Sequence, residues 1–238
     1  DPNVAELLEK TNCPMKSYGF SAGVDFQATE LQLSPSAMTF VLKRKNKNDL
    51  PVMLSMLGKH NVSNALAAIA VADYLGVEDE VICEGLAEFV GVERRFNVLG
   101  EKLIADKQVL LIDDYGHHPK EILATVETLR EAWPERNVTM VFQPHRYTRT
   151  RDLFKELVVA LSTVDRLILL PIYPACEPPI ESISSENLLA AIGRGKMSSA
   201  ENLFPTLEKT IHDGDILLMQ GAGDIGLLAK QLAGQPSL

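Results

Sequence analysis

Cysteine, positive charge and long apolar runs are all scarce in this sequence. Its 238 residues contain three cysteines, Cys13, Cys83 and Cys176. They are widely separated and odd in number, which argues against a disulfide framework, and no pair has zinc-ligand spacing. A reducing, cytosolic compartment therefore fits best. No apolar stretch approaches the roughly 18 residues that a transmembrane helix needs, so we expect a cytoplasmic protein with no membrane partner.

The charge balance excludes another class of partner. Lysine and arginine total 23 against 32 aspartate and glutamate residues, which gives a net charge of −9. Binding to DNA or RNA needs clustered positive charge to neutralise phosphates, so we expect no nucleic-acid partner. A local anion site is still compatible with this average, because the field at one site differs from the mean.

Several catalytic motifs are missing as well. Gly58-Lys59 is followed by His60, and Gly195-Lys196 by Met197, so neither completes a phosphate-binding G-x-x-x-x-G-K-[ST] loop. No H-E-x-x-H and no G-x-S-x-G occurs. The sequence therefore predicts no metal site and no hydrolase nucleophile. It begins at Asp1, which we interpret as an internal cut.

Hydrophobic periodicity divides the chain near residue 96. Before it we predict a hairpin (residues 38–42 and 51–57) and helices 62–75 and 78–89, with Asn61 as an N-cap and Gly76 as a terminator. Residues 91–97 resemble a linker. Beyond it, predicted strands alternate with predicted helices; the strands are 109–113, 138–142, 167–170 and 215–219, and the helices are 119–133, 150–161, 185–192, 203–212 and one from 224. This rhythm predicts an α/β fold whose mainly parallel sheet is covered by helices on both faces. Residues 1–96 contain too few strands for a complete α/β domain, so we interpret them as part of one.

Polar residues gather where two predicted strands end, the edge at which open α/β sheets bind ligands. Residues 113–119 read D-D-Y-G-H-H-P, with two carboxylates, a phenol and two imidazoles before a helix. Residues 143–151 read Q-P-H-R-Y-T-R-T-R, whose arginines and helix N-terminus suit an anion. The alternatives are that Asp113 or His118 only caps the helix, and that at least one arginine is simply solvated.

Three further segments carry polar or glycine-rich patterns. Residues 58–64 place Asn61 and Asn64 three apart, suited either to a purine edge or to helix capping. Arg94 and Arg95 lie in the linker, where they could reach a ligand or be an exposed basic pair. Residues 221–226 match G-x-G-x-x-G, but no acidic residue follows about 20 positions later as a dinucleotide site requires. We interpret these glycines as permitting a tight turn and close backbone approach.

Taken in order, these motifs resemble those of the Mur ligase family. The resemblance runs from about residue 57 to the end and depends most on D-D-Y-G-H-H-P and F-Q-P-H-R-Y-T-R-T. It implies that residues 1–96 are the C-terminal part of a central ATP-binding domain and that residues 97–238 are a C-terminal Rossmann-like domain. It also implies ATP as co-substrate and Mg²⁺ as cofactor, with the phosphate loop and the magnesium ligands upstream of Asp1. The chain by itself is then expected to be inactive.

The resemblance further implies a reaction and roles for individual residues. UDP-N-acetylmuramic acid would be activated as an acyl phosphate and joined to L-alanine, a step of peptidoglycan synthesis that supports the cell wall, cell shape and cell division. His60, Asn61 and Asn64 would hold adenine, Arg95 the terminal phosphate and Asp114 the ribose. Tyr115, His117 and His118 would line the alanine site, with His118 as the candidate proton acceptor. Arg146 and Arg149 would supply positive charge to the alanine carboxylate or the acyl phosphate.

Two other functions are compatible with the same residues. One is a related ligase of the same family that attaches a recycled tripeptide to the muramoyl group. The other is a non-catalytic nucleotide-binding module, which would bind ATP or NAD tightly by itself. A purely structural fragment is a third possibility.

Overall fold

The computed structural model describes residues 14–234, which form two compact units. The first unit contains the residues up to Gln32, Ala37–Ser55 and His60–Phe89, and the second contains Leu33–Ser36, Met56–Lys59 and the residues from Val90 onward. The domain boundary near residue 96 stays a prediction. None of the helices formed by residues 14–234 is long and apolar enough to cross a membrane.

From residue 14 onward, the first unit forms a small sheet with two helices. Its elements are β1 (Tyr18–Gly19), β2 (Phe26–Leu33), β3 (Met38–Arg44), β4 (Leu50–Leu54), α1 (Lys59–Tyr74) and α2 (Asp79–Glu88). The strands lie in the order β1-β2-β3-β4, with β1 parallel to β2 and β3 antiparallel to β4. The predicted hairpin is confirmed by the antiparallel pairing of β3 with β4, and Phe40 and Leu42 turn their side chains into the core. Strands β1 and β2 were not predicted, so this part of the chain is richer in strands than its sequence suggested.

Helix α1 begins earlier than its sequence suggested. It starts at Lys59, directly after Gly58, whose φ of 96° turns the chain into the helix. Asn61 therefore lies inside the first turn and is buried, so its predicted role as N-cap is wrong. The predicted stop at Gly76 is confirmed. This glycine has a φ of 76°, and Val77 N donates to Ala72 O at 3.0 Å, the bond that closes a Schellman motif.

A buried arginine ties β3 of the first unit to α1 and α2. The Arg44 guanidinium, on β3, donates to both carboxylate oxygens of Asp79 on α2 at 2.7 and 2.6 Å. It also donates to Asp73 on α1 at 3.1 Å, and Lys47 Nζ adds a further bond to Asp73 at 2.7 Å. Only 3% of the Arg44 side chain is exposed. The arginine thus acts as a clamp between elements that are distant in sequence.

The second unit is the larger one and is built on a six-stranded sheet. Its strands are β5 (Asn97–Ile104), β6 (Lys107–Asp114), β7 (Val138–Phe142), β8 (Arg166–Leu169), β9 (Lys196–Met197) and β10 (Ile216–Gln220). Its helices are α3 (Pro119–Ala132), α4 (Tyr147–Asp152), α5 (Phe154–Leu161), α6 (Ser185–Ile192), α7 (Leu203–Glu208) and α8 (Ile225–Leu232). The strand order is β5-β6-β10-β7-β8-β9. All neighbours are parallel except β5, which runs antiparallel to β6.

Helices cover both faces of this sheet, which confirms the predicted α/β fold. On one face Ile112 and Met140 belong to a core cluster with Ile122 of α3. On the other, Leu111 and Leu217 join Ile225 and Ala229 of α8 in a second cluster. The central strands are buried on both sides, so their sequences are mostly apolar, with Thr139 and Gln220 as the polar exceptions in β7 and β10, and do not alternate.

Three features of this unit differ from the sequence-based expectation. Strands β5 and β9 were not predicted, and the helix expected over residues 150–161 is two helices that meet at Leu153. The expected linker packs closely, since Phe96 is 7% exposed and belongs to the core. Strand β5 is half-exposed, and its apolar residues come in two adjacent pairs, Val98-Leu99 and Leu103-Ile104, so the alternation typical of a strand is missing.

Candidate functional site

The loops after the parallel strands converge at one edge of the second unit's sheet. Strands β6, β7 and β10 end in register, with Gln220 paired to both Asp114 and Phe142. Because β5 runs the opposite way, its first residue, Asn97, lies opposite Asp113 at that same edge. The predicted polar clusters and the arginine pair before β5 therefore share the position where open α/β sheets bind ligands.

Four rings form a continuous row along this edge, which we call the aromatic row. Tyr115 lies 5.6 Å from His117, His117 lies 5.8 Å from His145, and His145 lies 5.5 Å from Tyr173, all measured between ring centroids. The loops after β6, β7 and β8 each contribute to it. The row joins the motif of residues 113–119 to that of residues 143–151.

Two guanidinium groups flank the aromatic row. The Arg95 Cζ lies 5.3 Å from the centroid of the Tyr115 ring, and Arg149 Nη1 lies 3.0 Å from His145 Nδ1. Arg95 is also 3.6 Å from a Glu121 carboxylate oxygen and keeps 48% of its side chain exposed. Positive charge is therefore available to a ligand beside Tyr115 at one end of the row and beside His145 within it.

Arg146 lies at a strained turn beside the row. Its φ of 71° is unusual for a residue other than glycine, and Arg146 N donates to Tyr173 O at 2.8 Å. Its half-exposed guanidinium is 4.0 Å from Glu177. Thr148 N and Oγ1 donate to the Glu177 carboxylate at 2.9 and 2.7 Å, which lowers the pKa of that group. Arg151 is the solvated arginine that the sequence anticipated, paired with its neighbour Asp152.

Asp114 faces inward and accepts four hydrogen bonds. Phe96 N donates to Oδ1 at 3.1 Å, and Gly116 N, Thr125 Oγ1 and Gln220 Nε2 donate to Oδ2 at 3.2, 3.0 and 2.5 Å. Both oxygens are thus used to tie the loop after β6 to its surroundings. Ribose binding by Asp114 stays a prediction.

His118 is the N-cap of α3. Its Nδ1 accepts from Lys120 N at 3.2 Å. Glu121 completes a capping box by accepting from His117 N at 2.9 Å and His118 N at 3.0 Å. His118 therefore caps the helix through its Nδ1, as the capping alternative predicted. A role for His118 in catalysis or alanine binding stays a prediction.

Arg94 holds the glycine-rich loop after β10 in place. Its Nε lies 3.3 Å from the Asp113 carboxylate, and its Nη2 and Nη1 donate to Gly221 O at 2.6 Å and Gly223 O at 3.1 Å. A Cβ added at Gly223 would lie 2.7 Å from Tyr173 Cγ. The interpretation of these glycines as positions of close backbone approach is confirmed. The Arg94 guanidinium is therefore occupied by its bonds to the loop. The neighbouring Arg95, which was predicted to bind phosphate, is half-exposed.

Burial shapes the ionisation of the site. Burial lowers the pKa of His117, and Arg149 lowers it further, against the opposing effects of the Tyr115 carbonyl and Glu121. Burial and Arg149 lower the pKa of His145 as well. Burial raises the pKa of Asp113, although the neighbouring Arg94 guanidinium acts to lower it. Both imidazoles of the aromatic row therefore favour the neutral form.

The residues predicted to hold adenine lie on α1 of the first unit. Asn64 is exposed, and its Nδ2 donates to Oδ1 of the buried Asn61 at 3.3 Å. His60 is half-buried beside them. The adenine role of the three residues stays a prediction.

Sequence reasoning missed His145, Tyr173, Glu121 and Glu177 as site residues. Tyr173 and Glu177 belong to the proline-rich loop after β8, which looked like a plain connection. The rule that loops following parallel strands meet at one edge would have singled it out. Among residues 14–234 there is no group of three or more histidine, cysteine, aspartate or glutamate side chains that could hold a metal ion.

Comparison with known proteins identifies the family. Residues 94–223 match the profile described as "Mur ligase, glutamate ligase domain", and residues 1–72 match the Mur ligase middle domain. Among solved structures, the UDP-N-acetylmuramate-alanine ligase MurC of Thermotoga maritima is similar, with a TM-score of 0.73 and 25% identity over 92% of this chain and 47% of that one. The MurF ligase of Thermotoga maritima in complex with ADP has a TM-score of 0.70 and 18% identity, covering 99% of this chain and 52% of that one.

A murein peptide ligase from Psychrobacter arcticus is also similar, with a TM-score of 0.63 and 21% identity over 93% of this chain and 47% of that one. At 18% and 21% identity, the MurF and murein peptide ligase likenesses show the shared fold alone. The chain spans about half the length of these solved structures. The matched profile of residues 94–223 covers more than half of the 238 residues, and the chain belongs to the Mur ligase family.

Proposed function

We propose that this chain forms part of an ATP-dependent ligase that joins L-alanine to UDP-N-acetylmuramic acid through an acyl phosphate, in peptidoglycan precursor synthesis. The observation that carries the proposal is the aromatic row, with Arg95 beside Tyr115 at one end and Arg149 bonded to the His145 ring within it. The similarity to an alanine ligase at 25% identity supports the same substrate pair.

The arginines suit the charges of this reaction. An acyl phosphate, a tetrahedral intermediate and the alanine carboxylate are all anionic, and preorganised cations stabilise such groups. Arg149 is held by His145 Nδ1 at 3.0 Å, so its fork is oriented before a ligand binds. Arg146 lies on the same loop with a half-exposed guanidinium. We assign the alanine carboxylate or the acyl phosphate to these two arginines.

The co-substrate and the cofactor fit the described residues to different extents. Arg95, half-exposed beside Tyr115, suits the terminal phosphate of ATP. The amide pair Asn61 and Asn64, with His60, suits an adenine edge through paired donors and acceptors. For Mg²⁺, no group of three or more histidine, cysteine, aspartate or glutamate side chains among residues 14–234 could hold the ion.

A direct assay tests the proposal. The longer ligase that contains this chain should convert UDP-N-acetylmuramic acid, L-alanine and ATP to the amide, ADP and phosphate, measured by phosphate release and mass spectrometry. Turnover with a tripeptide in place of L-alanine, and none with L-alanine, would favour the recycling ligase instead. Tight binding of NAD to the chain in calorimetry would favour the non-catalytic nucleotide-binding module.

A matched pair of variants tests the arginine assignment. Arg149→Ala should raise the KM for L-alanine about 10- to 100-fold, the cost of one hydrogen bond to a charged group. Arg151→Ala is the control, because Arg151 is exposed and pairs only with Asp152 among the described residues. It should change KM less than about twofold. Equal effects of the two substitutions on KM would show that Arg149 does not bind the substrate.

A further inference from the structure

The hydrogen bonds of three imidazoles at the site determine which ring nitrogen carries the proton. His117 Nδ1 lies 3.2 Å from Tyr115 O. A carbonyl oxygen only accepts, so Nδ1 must be the protonated nitrogen of the neutral ring. The lone pair of His117 is then on Nε2, the nitrogen farther from the backbone.

His118 has the opposite arrangement. Its Nδ1 accepts from Lys120 N at 3.2 Å, and a backbone N–H only donates, so Nδ1 holds the lone pair. The neutral ring then carries its hydrogen on Nε2, which can donate but cannot accept. His118 could take up a proton only at Nδ1, and only by giving up the cap of α3.

His145 resembles His118 in this respect. Its Nδ1 is 3.0 Å from Arg149 Nη1, and a guanidinium has no acceptor, so Nδ1 again holds the lone pair. Its hydrogen is therefore on Nε2. Of the three imidazoles, His117 is the one whose outer nitrogen is a proton acceptor.

We propose that His117, through Nε2, takes the proton from the ammonium group of the attacking amino acid, and that His118 does not. This assignment rests on the proposed ligase function and replaces the role that the sequence suggested for His118. The ammonium proton moves to Nε2, and the freed nitrogen lone pair forms the new C–N bond at the acyl carbon. Phosphate leaves with the electron pair of the broken C–O bond and carries away the second proton of the attacking nitrogen, so that the products are the amide and hydrogen phosphate.

The surroundings of His117 suit a proton acceptor. Its side chain is 18% exposed, and its Nδ1 lies 3.8 Å from the Glu121 carboxylate, which stabilises the imidazolium once it forms. Arg95 and Arg149 oppose that charge, and the neutral His145 ring lies 5.8 Å away. Burial holds the pKa of His117 below its ordinary value, so the ring is neutral and ready to accept at neutral pH.

Long-range ¹H–¹⁵N NMR spectra of the 238-residue chain test the tautomers directly. We expect the neutral Nδ1–H form for His117 and the neutral Nε2–H form for His118 and His145. An Nε2–H form of His117 would overturn the proposal. Glu121→Gln keeps an acceptor for the two backbone amides and removes the charge, so the pKa of His117 should shift to lower pH in the same spectra. An unchanged pKa of His117 would show that the Glu121 charge does not stabilise its imidazolium.

Kinetics of the longer ligase test the role itself. His117→Asn keeps a donor for Tyr115 O and removes Nε2, so kcat should fall about 100-fold or more, with little change in KM. The acid limb of the pH–rate profile should disappear. His118→Asn keeps the capping acceptor and removes its Nε2, and it should retain that acid limb. His212→Asn, at an exposed residue far along the chain, is the control for activity.

The outcomes separate the two proposals. If the wild-type ligase is active with L-alanine but His117→Asn retains both its rate and its acid limb, the assignment to His117 is wrong and the ligase function stands. Loss of the acid limb in His118→Asn would return the role to His118. If the wild-type ligase makes no amide from UDP-N-acetylmuramic acid and L-alanine, the proposed function itself is wrong, while the spectra still report the tautomers.

Discussion

The His118 imidazole stabilises the first turn of α3, an effect that can be measured without any ligand. His118→Ala removes the acceptor for Lys120 N and should lower the free energy of unfolding by about 1 kcal/mol, as for other N-cap losses. His118→Asn should keep most of that stability, because asparagine is a favourable N-cap. Urea unfolding of the two variants measures the difference. Equal stability of the alanine and asparagine variants would contradict the capping role.

Gly223 illustrates how a single methyl group can disturb the site. An alanine Cβ there would lie 2.7 Å from Tyr173 Cγ, closer than carbon atoms tolerate. We expect Gly223→Ala to lower the free energy of unfolding by about 2 kcal/mol through overpacking. It should also perturb the ring resonances of Tyr173 and His145, which stack on each other.

The matched control for this substitution is Gly85→Ala. Gly85 lies inside α2 and would meet nothing within 4 Å. Alanine is the better helix former, so this variant should be more stable by about 0.5–1 kcal/mol. If both alanines had the same effect, close packing around Gly223 would not explain its presence.

At the scale of elements, the Arg44 clamp should dominate the stability of the first unit. Arg44→Ala leaves Asp73 and Asp79 without their shared guanidinium, and we expect a loss of about 3 kcal/mol. Arg44→Lys should restore little of it, because an ammonium cannot bridge the carboxylates bidentately. Lys43→Ala, which removes an exposed pair 3.7 Å long with Asp49, is the control and should cost at most about 1 kcal/mol. Chemical unfolding followed by circular dichroism would rank the three variants.

The turn between β5 and β6 is a second element whose sequence is not optimal. Ala105 and Asp106 have φ of 48° and 60°, values that suit asparagine and glycine in a two-residue hairpin turn. The double substitution Ala105→Asn and Asp106→Gly should therefore stabilise the hairpin by about 1 kcal/mol. Thermal unfolding would show it as a higher Tm. An unchanged or lower Tm would mean that the turn is not of this type.

At the scale of the whole molecule, the histidines of the aromatic row should make stability depend on pH. Both His117 and His145 have a lowered pKa in the fold. As the pH falls below about 6.5, the ordinary value for histidine, the unfolded chain takes up protons before the fold does. The free energy of unfolding should therefore fall from pH 7.5 to pH 5.5.

The control for this prediction is the double variant His117→Asn, His145→Asn, in which the slope between those pH values should be smaller. Asp113 has a raised pKa, so its contribution has the opposite sign: it is present at low pH and lost as the pH rises. The Asp113 contribution is the same in the wild-type chain and in the double variant, so it cancels when their slopes are compared. Urea unfolding at several pH values gives the two slopes, and equal slopes would remove the two histidines from the effect.

Local patterns predicted much of this fold. Residues 138–142 and 185–192 were predicted as the strand and helix that the structure contains. Strand β5 escaped because its apolar residues, Val98-Leu99 and Leu103-Ile104, do not alternate with polar ones. Asn61 was wrongly taken as a cap because the helix starts earlier, directly after Gly58. Of the site, the motifs around His117 and Arg149 were found, while Tyr173 and Glu177 were missed because they lie in a loop without periodicity.

The sequence by itself determined the α/β rhythm, the strand ends on which the polar motifs lie, and the resemblance to a ligase family. These depend on periodicity and on neighbours along the chain, which are local properties. The tertiary structure alone decided that the loops after β6, β7 and β8 form one aromatic row, and which imidazole nitrogen has a donor or an acceptor beside it. A ring's tautomer follows from partners such as Arg149 or a backbone carbonyl, and folding decides which of them lie within hydrogen-bond distance.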